Sequence, residues 1–530
     1  MYDLLVKNGR IHDGTGSASY AADIGVVGDE IAAIGRLEGE AVRTIDAAGL
    51  AVAPGFIDLH SHSDASFLMD RTAQSKVRQG VTLELVGNCG YSFCAPLHGA
   101  ARDELQTWVG HYTDSFDVTW NDFSGYLDAV QQVGPPVNLA VQVGHATVRA
   151  CVIGLDDRAP RGDELDRMKD LVAECLDAGA MGLSTGLHYA PASYARTEEI
   201  IDLAQVAADR GKLYSTHMRA EGSRSVGIFS ALNEAIEIGR RTGIRVEISH
   251  LKCVGPATWG RASDVMDLLE RTRKEGIDIA GDQYPYAASS TSLTGALFPR
   301  WSLDGGRQAT LGHMANSDMR QRLSGEIDAR YPDFGGPEAV VIARFVHEPR
   351  YEGMNMVQVA EDMGCGLGEA ALRLYEREEA SIINHMMSDE DVDTFAGHPL
   401  VSVGSDGDSL SVDGLLSVGK PHPRSYGTNP RFLSRFVRER GVVSLEEAIR
   451  KMTALPASRL GLTRRGRIGP GFAADLVAFS PDEVTDTATY AEPHSYPVGI
   501  PHVVVNGDVV IEDGEFTGAG PGRVLRDFGD

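Results

Sequence analysis

The chain has 530 residues, 42% hydrophobic and 23% charged, the balance of a globular protein with a large buried core rather than a disordered chain. Its 75 acidic against 49 basic side chains leave a net charge of −26, which argues against nucleic acid and anionic membrane as partners. No apolar run approaches the ~20 residues that a bilayer-spanning helix needs, and Met1–Gly9 lacks the basic start and apolar stretch of a secretion signal, so a cytoplasmic setting is expected. The six cysteines, at 89, 94, 151, 175, 253 and 365, are dispersed without a CxxC pair and read as free thiols rather than a disulfide framework.

The two ends of the chain resemble each other. Leu5-Val6-Lys7-Asn8-Gly9-Arg10-Ile11 and Val504-Val505-Asn506-Gly507-Asp508-Val509-Val510 are both β-rich runs broken by Asn-Gly, the strongest short hairpin signal. Strand-like runs at Ile24–Val27, Ile31–Ile34 and Asp475–Phe479 extend each region. Residues 1–53 and 460–530 are therefore expected to pair as two halves of one small β-sandwich domain, which leaves neither half with an open edge.

Between them, from 54 to 459, short apolar runs alternate with helical stretches. Glu164–Leu176 places Leu165, Met168, Leu171, Val172 and Cys175 on one helical face. Candidate strands begin near Phe56, Val81, Val137, Met181, Leu213, Val246, Ile277 and Leu400. Eight such units predict an α/β chain whose centre is a (β/α)8 barrel of the TIM type. The irregular stretch 287–350, with scattered Gly and Pro, reads as an insertion or lid over one rim.

In such a barrel the chemistry sits where the strands end. The first strand ends in His60-Ser61-His62, and the alternation of side chains puts both imidazoles on one face. The second ends at Cys89, flanked by Gly87 and Gly90, which let the backbone turn and present the sulfur. The fifth ends at His217, the sixth at His250 and the eighth at Asp406. Taken singly, each is as readily a packed or surface residue. Together they form a set of metal donors beside a carboxylate suited to take a proton from bound water, and only a closed barrel brings such distant positions to one point. His145, His188 and Tyr189 also follow strand ends and stay ambiguous, and Arg300, His385 and His422 carry no clear role.

This order resembles the amidohydrolase superfamily. Gly87-Asn88-Cys89-Gly90, Gly182-Leu183-Ser184-Thr185-Gly186-Leu187, Ser249-His250-Leu251-Lys252, Asp282-Gln283-Tyr284-Pro285-Tyr286 and His422–Thr428 are similar to the N-acyl-D-amino-acid deacylases (D-aminoacylases) over nearly the whole chain. Many superfamily members carry a carboxylated Lys where this sequence, like the deacylases, has Cys89. The resemblance implies one tightly held Zn2+ on Cys89, His217 and His250. It implies a second, weaker metal position at His60 and His62 beside Asp406. Asp406 would be general base and then general acid. Lys252, Tyr284 and Arg424 would hold the carboxylate of a small N-acyl amino acid substrate, with Tyr286 competing for the place of Tyr284. The alternatives are a cyclic amide hydrolase of the hydantoinase or dihydroorotase kind, against which Cys89 counts, and a non-catalytic barrel, against which the full set of donors counts.

Overall fold

The computed structural model describes residues 1–110, 112–113 and 116–530. Its centre is an eight-stranded parallel sheet: β1 (Phe56–Asp58), β2 (Val81–Val86), β3 (Asn138–Gly144), β4 (Gly182–Gly186), β5 (Leu213–His217), β6 (Arg245–Ile248), β7 (Ile279–Gln283) and β8 (Val401–Val403), in that spatial order. The expected strands are all present. Nearly every residue in them is buried, as a sheet covered by helices on its outer face and filled inside requires. The ring closes just beyond the strand ends: Asp406 N–H donates to the His60 carbonyl (2.7 Å) and His62 N–H to the Gly407 carbonyl (3.1 Å). The closing bonds thus fall on the residues singled out for chemistry.

Helices return the chain between strands, among them Gly162–Asp177 after β3, Thr197–Ala208 after β4, Ile228–Thr242 after β5 and Ala262–Lys274 after β6. In Gly162–Asp177, Met168, Leu171, Val172 and Cys175 are buried as the periodicity predicts, and Leu165 is half-buried.

The ends of the chain join in one nine-stranded sheet. Strand Ala51–Pro54 from the N-terminal part pairs antiparallel with Leu476–Phe479 from the C-terminal part. Leu4, Val6, Ile24 and Val26 share a core cluster with Leu476, Val504 and Val509. The two Asn-Gly pairs behave differently. Asn506-Gly507 turns a hairpin between His502–Val505 and Asp508–Glu512. Asn8-Gly9 does not: the strand Tyr2–Ile11 runs through it, and the register against Tyr20–Val27 shifts between Val6 and Gly9. Asn8 has φ 62°, the left-handed conformation that bulges and hairpin turns both use, so the same dipeptide served a β-bulge.

Between β7 and β8 the chain builds a separate unit. Three strands, Ser289–Ser292, Ser381–Asn384 and Val340–Arg344, pair in that order. Helices including Gly306–Ala315, Ser317–Asp328, Met356–Met363 and Leu367–Arg377 pack on their own core of Leu297, Leu323, Ile342 and Leu372. The irregular stretch 287–350 is only the first part of it; the two later helices have ordinary amphipathic spacing and give no sign in sequence of belonging to an insertion. This unit roofs the open end of the barrel. The His188 ring, after β4, hydrogen-bonds the Gly295 carbonyl (3.0 Å), and Tyr189 Oη lies 3.0 Å from Thr291 Oγ1.

Candidate active site

Cys89, His250 and Asp406 each follow a strand end in left-handed backbone, with φ of 52°, 38° and 52°. Non-glycine residues pay about 1–3 kcal/mol each for such conformations, and three at one barrel mouth mark a place where geometry is imposed for a purpose. The loop around Cys89 admits nothing larger than glycine on either side. A Cβ on Gly87 would lie 2.2 Å from the Gln142 carbonyl oxygen, and one on Gly90 would lie 2.5 Å from the Gly186 nitrogen.

Cys89 Sγ lies 3.3 Å from His60 Nε2 and 3.3 Å from His250 Nε2. Asp406 Oδ1 is 3.0 Å from His62 Nε2 and 3.4 Å from His60 Nε2, and its Oδ2 accepts from Arg424 Nη1 at 2.7 Å. The donor atoms of His60, Cys89, His250 and Asp406 all lie within 4.8 Å of one another. The His217 ring packs edge-on to His250 with centroids 4.4 Å apart, and its Nδ1 is buried without a partner. A thiolate with several imidazoles suits a borderline-soft divalent cation such as zinc. Burial pushes the Cys89 thiol up, but the charges of His60 and then His250 outweigh it and hold the sulfur well below the ordinary thiol range. Burial likewise raises Asp406, and Arg424 and His250 reverse the effect, so its carboxylate stays ionised.

Two residues not singled out by sequence reasoning orient these donors. Asp282, at the end of β7, lies 3.2 Å from His60 Nδ1 and accepts the His250 N–H at 2.8 Å. With the proton of His60 on Nδ1, the Nε2 lone pair faces Cys89 and Asp406. Glu221 lies 3.0 Å from His250 Nδ1 and 3.6 Å from His217 Nε2, and accepts from Lys252 Nζ at 2.7 Å. His217, Glu221 and His250 also have ligand atoms within 4.8 Å of one another, but the ammonium of Lys252 already occupies that carboxylate. The available signals were the Asp opening Asp282-Gln283-Tyr284 and the four-residue step from His217 to Glu221.

The other expected site residues sort by position. Arg424 and Lys252 are buried at the wall of a cavity of about 1100 Å³ that reaches His62, Cys89, His217, His250 and Asp406. Arg424 is set by His422, whose Nε2–H donates to the Ala288 carbonyl (2.9 Å) and whose Nδ1 accepts the Arg424 N–H (3.0 Å). The Tyr284 ring lies between the two cations, 4.9 Å from Arg424 Cζ and 5.7 Å from Lys252 Nζ, and its buried hydroxyl has no partner. Tyr286 turns away: its ring stacks on Arg431 (4.6 Å) and its hydroxyl donates to the Pro423 carbonyl (3.4 Å). His145 is tied to Glu199 (2.8 Å), which also pairs with Arg149, and does not line the cavity. Arg300 is paired with Asp157.

A parallel barrel with a thiol, four imidazoles and a carboxylate at its mouth defines a hydrolase of the metal-binding kind. The pattern of the amidohydrolase family described as Amidohydro_3 matches residues 43–295 and 400–511. A D-aminoacylase of Alcaligenes xylosoxydans xylosoxydans is 37% identical over 528 residues, 99% of this chain and 97% of that one. An N-acyl-D-glutamate deacylase of the same organism is 36% identical over 526 residues, 99% and 96% of the two chains. The crystal structure of N-acyl-D-glutamate deacylase from Bordetella bronchiseptica, complexed with zinc and a phosphonate mimic of the tetrahedral intermediate, superposes with a TM-score of 0.84 at 35% identity, covering 99% of this chain and 100% of that one. A D-hydantoinase structure, at 15% identity and a TM-score of 0.57, shares the fold alone. The chain belongs to the amidohydrolase family, in the branch of the N-acyl-D-amino-acid deacylases.

Proposed function

We propose that this protein hydrolyses the amide bond of N-acyl-D-amino acids with the help of zinc, releasing a carboxylate and a free D-amino acid. The observation that carries the reading is the convergence of Cys89, His60, His250 and Asp406 on one point beside the buried guanidinium of Arg424. Cys89, His217 and His250 would hold the tighter zinc, and His60 and His62, facing Asp406, a weaker one. Zinc, when bound, supplies a Lewis acid for the amide carbonyl and lowers the pKa of water to about 7.

The chain's own residues do the rest. Arg424 grips the substrate carboxylate through its planar fork and Lys252 adds a point charge, with the Tyr284 ring packed between the two cations. Because Arg424 is bonded to Asp406 in the free protein, an arriving carboxylate competes for the guanidinium and releases Asp406 Oδ2 to act as a base. Asp406 then takes the proton of the attacking water. It returns that proton to the departing nitrogen, which cannot leave as an anion. Relatives that act on D-amino acid derivatives at 36–37% identity over 99% of the chain support the D configuration. Six free cysteines, and no helix among the described residues long and apolar enough to cross a membrane, support a reducing cytoplasmic location.

Zinc-loaded protein should turn over N-acetyl-D-methionine and leave its L-enantiomer untouched, read by release of the primary amine. Equal turnover of both enantiomers, or activity confined to cyclic amides such as hydantoins, would overturn the reading.

A further inference from the structure

Tyr91, two residues beyond Cys89, begins a line of rings. Its ring stacks on Phe93 (centroids 5.0 Å, planes 12° apart), Phe93 stacks on Trp108 (5.1 Å, 3°), and Trp108 meets Tyr112 edge-on at 6.0 Å. Tyr91, Phe93 and Trp108 line the same cavity as Cys89, and each is only half-buried. Rings that served packing alone would be closed over; these present a surface to the cavity. All four belong to the connection between β2 and β3. In a closed ring of eight strands, β2 stands opposite β6. The two cations that line the cavity with these rings, Lys252 and Arg424, follow β6 and β8.

We propose that the aromatic line is the acyl-group site, and that the natural substrates carry a large aromatic acyl group, of the arylacetyl kind, rather than acetyl. The inference rests on the deacylase reading given above. A substrate clamped by its carboxylate on the β6–β8 side, with its amide carbon over Cys89, sends its acyl chain across the mouth to the β2 side. There the stacked rings of Tyr91, Phe93 and Trp108 offer an apolar wall for edge-to-face contact. The cavity, about 1100 Å³, is slightly larger than the range of about 300–1,000 Å³ seen for sites that enclose a whole drug-sized molecule, far more than an acetylated amino acid fills. Aromatic pairing adds to simple burial for a ring seated on such a surface. Anchoring at both ends also fixes the amide carbon over the metal donors, so the acyl group raises turnover as well as binding.

Two isomers separate acyl recognition from side-chain recognition: N-phenylacetyl-D-alanine and N-acetyl-D-phenylalanine, each measured against N-acetyl-D-alanine with the zinc-loaded protein. The phenylacetyl isomer is expected to gain about ten-fold or more in kcat/KM over N-acetyl-D-alanine. Trp108→Leu and Phe93→Leu, checked for folding by circular dichroism, are expected to shrink that ratio several-fold without shrinking the ratio for N-acetyl-D-phenylalanine. In parallel, the quench of tryptophan fluorescence reports binding of phenylacetate against acetate, with no turnover needed. If no N-acyl amino acid is hydrolysed yet phenylacetate binds at least ten-fold more tightly than acetate and loses that margin in Phe93→Leu, the acyl site stands and the deacylase reading falls. A preference that follows the phenylalanine side chain instead, or equal binding of phenylacetate and acetate, overturns the proposal.

Discussion

Asp406 sits in left-handed backbone with its two oxygens divided between His62 and Arg424, so its role depends on a carboxylate at one fixed place. Asp406→Asn keeps the shape and removes the base. It is expected to lower kcat by about 10²–10⁴-fold with little change in zinc content, measured by steady-state kinetics and metal analysis. Glu221 acts through others, holding the His250 ring and the Lys252 ammonium. Glu221→Gln is expected to weaken zinc binding by about 10–100-fold, read by competition with a chromogenic chelator. A Glu221 that only packs would leave that affinity where it was. The contrast shows what was legible at this scale. His60, His62, Cys89, His217, His250 and Asp406 announce themselves because each ends a strand, and strand ends in a barrel point to one place. Glu221 and Asp282 touch donors rather than being donors, and the signals they carry, the four-residue step from His217 and an Asp near a strand end, are shared by other carboxylates of an acidic chain.

Among the elements, the roof between β7 and β8 carries a carboxyl that titrates near neutrality. Burial pushes Glu379 up to about 7 from an ordinary value of about 4.5, against the hydrogen bonds from the Thr294 backbone and hydroxyl. In the unfolded chain this carboxyl ionises from about 4.5 upward, while in the folded roof it stays protonated until about 7. The unfolded state therefore binds fewer protons in that window, and stability is lost as pH rises through it. Between pH 5 and pH 8 the wild type is expected to lose more in Tm than Glu379→Gln, which cannot ionise; parallel profiles would show that Glu379 has no such role. Strand positions were readable at this scale because most of the buried parallel strands begin as short apolar runs. The Asn8-Gly9 bulge was not, since a bulge and a hairpin call for the same left-handed dipeptide and only the partner strand tells them apart. Nor were the later helices of the roof, whose apolar faces look alike whether they cover a barrel or pack on the separate core around Leu372.

For the whole molecule, the site brings residues that follow β1, β2, β6 and β8 to one centre, across a chain separation from His60 to Asp406. An ion bound only by the folded ring stabilises it by mass action. Dialysis against a chelator is expected to lower Tm by several degrees, and stoichiometric zinc to restore it. Unchanged melting would mean that the donors do not share a cation.

By itself the sequence determined the barrel and the joining of the two ends, and pointed to the strand-end residues proposed as donors, because alternation, periodicity and strand-end chemistry are local properties written in consecutive residues. Only the tertiary structure decided that Tyr284 rather than Tyr286 stands between Arg424 and Lys252, that Arg424 rests on Asp406, and that the rings following β2 line the same cavity as those cations. These are relations between side chains far apart in the chain. Ring closure and packing set them, and no local pattern encodes them.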